Sequence, residues 1–204
     1  MRGATSGALV LLAAFATRLA GQDPRLAARL DPQTNVVVGA IIDSARTAKL
    51  PTAPLTDKAL EGWAKGGDGT KIILAVRQLS VRLAHARTML GTTSSADEIK
   101  AGAGALDAGV SARDLARLRT AAGKRSVTLP LAVLTDLVGR DVPVATATNL
   151  VVSLARSHVV DSDLTLFQRN VRLDIERGAD PSTAASTRAR GLILRTNTSG
   201  NPIR

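Results

Sequence analysis

Thr70-Lys71-Ile72-Ile73-Leu74-Ala75-Val76-Arg77-Gln78-Leu79-Ser80-Val81-Arg82-Leu83-Ala84-His85-Ala86-Arg87-Thr88-Met89-Leu90 is the stretch whose reading sets the fold class. Ile72, Val76, Leu79, Leu83, Ala86 and Leu90 recur at spacings of three and four, which puts them on one continuous stripe of a helix. The same period returns in 161–177 through Leu164, Phe167, Val171 and Ile175, and more briefly in 111–122 through Leu115, Leu118 and Ala122. Val36-Val37-Val38-Gly39-Ala40-Ile41-Ile42 is the one run with strand character, being short and β-branched. Val37, Ala40, Ile41, Ala45 and Ala48 nevertheless share a helical face, so it reads as helix.

Starts and stops punctuate these stripes. Asp31-Pro32 and Asp180-Pro181 each put a capping carboxylate before a proline at the first helical position, where the absent N–H has no partner to lose. Ser95-Ala96-Asp97-Glu98 spells a capping box, Ser111-Ala112-Arg113-Asp114 a shorter relative, and Pro143 and Asp161 mark two further starts. Gly91, Gly109, Gly123, Gly139 and Gly178 are the expected helix ends. A joint recurs: a helix end, one apolar residue, then the residue opening the next helix, as in Val110-Ser111, Val142-Pro143 and Val159-Val160-Asp161. The apolar residue is expected to plug the gap between neighbours, and its spacing follows no fixed period.

About nine short helices follow, an all-α array with irregular helical-hairpin or solenoid-like packing. Pro51-Thr52-Ala53-Pro54 is the expected hinge after the first long helix. Gly91-Thr92-Thr93-Ser94 separates an N-terminal helical region, 22–91, from a C-terminal short-helix array, 92–195, with a loose tail at 196–204. At the other end Arg2 precedes the uncharged run from Ala8 to Ala16, the pattern of a secretory signal spanning 1–21. Cleavage is expected before Thr17 or before Gln22. The run is too short to span a bilayer, which takes ~20 apolar residues, so no transmembrane segment is expected after processing and the destination is periplasmic or secreted.

Composition narrows the chemistry. The 204 residues contain no cysteine and no tyrosine, one tryptophan and two phenylalanines, which removes disulfides, thiolate chemistry and aromatic stacking platforms. Net charge is +10, and loss of Arg2 and Arg18 with a leader would leave +8. Gly66-Gly67-Asp68-Gly69-Thr70-Lys71 fails as a phosphate loop because Thr70 precedes the lysine and a helix, not a strand, precedes the loop. It reads as a helix connection capped by Asp68 or Thr70. His85 and His158 are the only histidines; His158 with Asp161 and Asp163 draws a weak metal or catalytic group whose simpler reading is a capping turn. No cofactor or metal is expected. Helix-turn-helix spacing fails too, since the turn glycine would fall at Thr120 and is Gly123.

One feature stands above this background. Lys71, Gln78, Arg82 and His85 project opposite the aliphatic stripe of 70–90, Arg77 and Arg87 flank it, and no acid lies between them. Lys71, Arg77, Arg82, His85 and Arg87 are therefore the expected binding residues for an anionic partner. The sequence as a whole predicts an exported, non-enzymatic helical scaffold with a protein partner. The alternatives are a binder of anionic envelope polymer or lipid headgroups, and a hydrolase whose site the sequence does not group. Nucleic acid is disfavoured.

Overall fold

The computed structural model describes residues 23–199, and among them every regular element is helical. In order these are α1 (Pro24–Ala27), α2 (Pro32–Thr47), α3 (Ala53–Ala64), α4 (Gly69–Leu90), α5 (Ala96–Asp107), α6 (Ala112–Ala122), α7 (Thr128–Val138), α8 (Val144–Arg156), α9 (Asp161–Glu176) and α10 (Pro181–Ser199). The expected signal, 1–21, and the last residues, 200–204, lie outside this range. The helix beyond the nine expected is α1, a single turn opened by Asp23-Pro24 with the same capping grammar as Asp31-Pro32.

The expected caps form. Asp31, Asp68, Ser95, Ser111 and Asp180 each accept a hydrogen bond from a backbone N–H of the first turn, and Ser95 with Glu98 completes a reciprocal capping box. The β-branched run 36–42 lies inside α2 as expected, but the buried face is Thr34, Val38, Ile42 and Ala45 rather than the one expected through Val37, Ala40 and Ile41, and Ala40 and Ala48 are exposed. At the far end α10 continues past Arg195, where its apolar residues stop, and the hydroxyls of Thr196 and Thr198 donate to the carbonyls of Leu192 and Leu194.

Six joints share one geometry. After α2, α3, α5, α7, α8 and α9, a residue with positive φ (Lys49, Gly66, Gly109, Asp141, His158, Gly178) ends the helix. The next N–H (Leu50, Gly67, Val110, Val142, Val159, Ala179) then donates back to the carbonyl five residues earlier, at 2.9 to 3.3 Å. This Schellman closure satisfies carbonyls that the helix terminus would otherwise leave unpaired. Leu50, Val110, Val142 and Val159 are buried, so the apolar residue of the joint does plug the gap. Gly139, an expected terminator, has an ordinary helical φ of −64°; the left-handed position belongs to Asp141.

Packing follows alternation. Within the even-numbered helices α2 packs on α4, α4 on α6, α6 on α8 and α8 on α10; within the odd-numbered ones α1 packs on α3, α5 on α7 and α7 on α9. Two rows result, stitched by α3–α4, α4–α5, α7–α8 and α9–α10. Neighbours in a row run parallel: α4 begins beside Thr34 and Asp31 of α2, and Arg87 near its end donates to Ala48 just past the end of α2. Partners across rows are antiparallel, with Gly102 of α5 against Ala86 and Leu90 of α4. Two buried clusters, one built from 26–103 and the other from 90–192, meet at α4 and α5, where Leu106 packs against both.

Candidate interaction surface

Helix α4 is walled by α2 and α6 in its own row and by α3 and α5 in the other. Its remaining exposed residues, Thr70, Lys71, Leu74, Arg77, Gln78, Val81, His85 and Thr88, therefore face away from the odd row. Of the five expected binding residues, Lys71, Arg77 and His85 stand on this outward strip. Lys71 pairs at 3.2 Å with Asp68, the cap of its own helix, while Arg77 and His85 have no partner among the described residues.

The other two are turned to structural use. Arg82, with 26% of its side chain exposed, meets Asp107 of α5 at 3.1 Å, and its Nε is buried without an acceptor. Arg87 gives its guanidinium N–H to the Ala48 carbonyl, where a helix C-terminus favours positive charge. The strip also holds two residues that the charge pattern did not single out: Leu74 and Val81, 53% and 50% exposed. They fall off the buried stripe by helical angle, which is the signal that would have found them.

Row membership sorts the charge. Within the helix bounds the even-numbered helices carry twelve arginines and lysines against two acids, Asp43 and Asp114, a net of +10. The odd-numbered helices carry five bases against ten acids, a net of −5. Three ion pairs cross between the rows, Arg82–Asp107, Arg119–Glu98 at 3.0 Å and Arg188–Asp174 at 2.6 Å, and in each the base comes from the even row. The Arg188 guanidinium holds the Asp174 carboxyl below its usual range. Arg77, Arg113, Arg156, Arg190 and Arg195 are exposed and make no ion pair or hydrogen bond among the described residues, so α4, α6, α8 and α10 each present unneutralised positive charge.

Searches of protein-family models, of curated proteins and of solved structures find no match to this chain.

Elsewhere the polar groups serve the fold. Glu98 accepts from the backbone N–H of Ser95 and Val127 and from Arg119, all at 3.0 Å, tying the starts of α5 and α7 to α6. A groove of about 460 Å³ between α3, α4 and α5 is lined by Asp57, Lys58, Glu61 and Lys100, and there Lys65 and Lys58 hold Glu61 down to about 2. His158 occupies the left-handed joint position and is exposed; Asp161 opens α9, and Asp163 lines a groove against α10. Among the described residues no three His, Asp or Glu side chains are grouped to hold a metal ion, and no helix is long and apolar enough to cross a membrane.

Proposed function

We propose that this chain is an exported, non-enzymatic helical scaffold that docks an anionic partner surface through its even row. The observation carrying this reading is the division of charge between rows, +10 against −5, with unpaired arginines on four successive even helices. Charge of one sign collected on one side of a molecule steers and orients association with the opposite sign. Export belongs to the reading through the leader-like pattern at 1–21, which makes envelope material or an envelope protein the anionic partner rather than nucleic acid.

Binding to immobilised poly-L-glutamate tests it. Wild-type protein is expected to bind at low salt and to release as ionic strength rises, because the Debye length falls from ~10 Å at 0.1 M to ~3 Å at 1 M. Replacing Arg77, Arg113 and Arg156 together by glutamine should weaken binding, with the far-ultraviolet circular dichroism unchanged. Binding that ignores both salt and these substitutions overturns the proposal.

A further inference from the structure

The proposed function leaves the chemistry of the anionic surface open. Resting on that reading, we infer that the surface is a lipid bilayer rich in anionic headgroups, and that the even row lies flat against it. Three features carry this.

The positive charge is not gathered in one cleft, as a compact cluster of acidic side chains on a folded partner would require. Arg77, Arg113, Arg156 and Arg190 spread it from α4 to α10, all exposed and unpaired. Each basic side chain near an anionic leaflet adds its own attraction, so a dispersed set suits an extended plane. The acidic odd row makes the molecule a dipole across its thickness, and a negatively charged plane turns the even row of such a dipole toward itself. Large aliphatic side chains project from the same row: Val36, Leu74, Val81 and Leu194 are each 50% to 63% exposed. A soluble polyanion gives them nothing to pack against, whereas the boundary between headgroups and acyl chains accepts them.

Flotation of the full chain with phosphatidylcholine vesicles, with and without phosphatidylglycerol, tests this. The reading is the increment that the anionic lipid adds over phosphatidylcholine alone, compared between wild type and variants that share the same residues 1–22. That increment should fall severalfold on replacing Arg77, Arg113 and Arg156 by glutamine, with Arg190 and Arg195 left in place. It should fall about tenfold in Leu74→Ser with Val81→Ser, since aliphatic burial is lost, while poly-L-glutamate binding persists. Leu166→Ser, on the odd row, should change nothing. Orientation has its own probe, because Trp63, the only tryptophan, lies in α3 of the odd row. Brominated lipid should leave Trp63 unquenched and should quench the indole of Leu74→Trp in a Trp63→Phe background. Should the serine variant lose its helical signal, this quenching comparison decides. An increment untouched by the arginine or the aliphatic substitutions overturns the inference, as does quenching of Trp63 alone. Poly-L-glutamate binding without vesicle binding overturns it and leaves the proposed function standing; loss of both overturns both.

Discussion

Glu98 and Arg119 meet at 3.0 Å across the two rows, the carboxylate buried and the guanidinium half-buried. Burial pushes the Glu98 carboxyl up, but the N–H groups of Val127 and Ser95 and the charge of Arg119 together outweigh it and hold the group below its usual range. A folded-state pKa below the unfolded value of about 4.3 means that this stabilisation is complete above that pH and is lost as pH falls through the depressed value. Glu98→Gln should therefore cost about 2 kcal/mol at neutral pH, a partly solvated ion pair being lost with two backbone donors left poorly served. It should also lose stability less steeply than wild type on acidification, followed by urea midpoints. An acid limb identical to wild type would show that the carboxylate is not the anchor.

Three joints hold a side chain where the backbone favours glycine: Lys49, Asp141 and His158, with φ of 55°, 65° and 54°. Replacing any of them by glycine should raise stability by up to about 1 kcal/mol, the relief of the left-handed strain being partly offset by a freer unfolded chain. Gly178→Ala should do the reverse. Gly139→Ala, at a helical φ with only ordinary contacts to Thr135 and Asp136, should be neutral or stabilising. Thermal melts of the set check the pattern.

Two glycines on α5, two residues apart, should behave oppositely. A Cβ at Gly102 would lie 2.9 Å from Leu90 Cδ1 and 3.0 Å from Ala86 Cβ, so Gly102→Val should cost about 1–3 kcal/mol by overpacking the α4–α5 contact. A Cβ at Gly104 meets nothing within 4 Å, and Gly104→Ala should gain about 0.5–1 kcal/mol from helix propensity. Equal effects at the two positions would contradict the close approach of Gly102 to Ala86 and Leu90.

Export predicts a mature N-terminus between Thr17 and Gln22, read by mass spectrometry of protein recovered from its native cell envelope or medium. An intact Met1 in the cytoplasm would remove export from the proposal.

Helix identity was legible because the stripe, the caps and the joint rest on residues close in sequence. Asp31-Pro32, Ser95 with Glu98, and Val110-Ser111 each announce a local hydrogen-bond solution. The stops at Lys49, Asp141 and His158 were not, because the helix end there is enforced by burial of Leu50, Val142 and Val159 rather than by a glycine. At the interaction surface, Lys71, Arg77 and His85 keep the outward placement that helical angle assigns. Arg82 turns inward because Asp107 of the next helix claims it, a pairing that spacing along one helix does not contain. Charge per helix was in the sequence throughout; its sorting into opposed rows emerges only once alternate helices are side by side.

The self-contained joints bear on how such a molecule changes over generations. Each closes its own carbonyls and seats its own plug, and each helix leans mainly on those one or two places away. Lengthening the array by a helix pair therefore asks for one new seam and leaves the older ones as they were. Duplication or loss of a unit at the α10 end would alter the reach of the basic row in steps, without a redesign of the part already built.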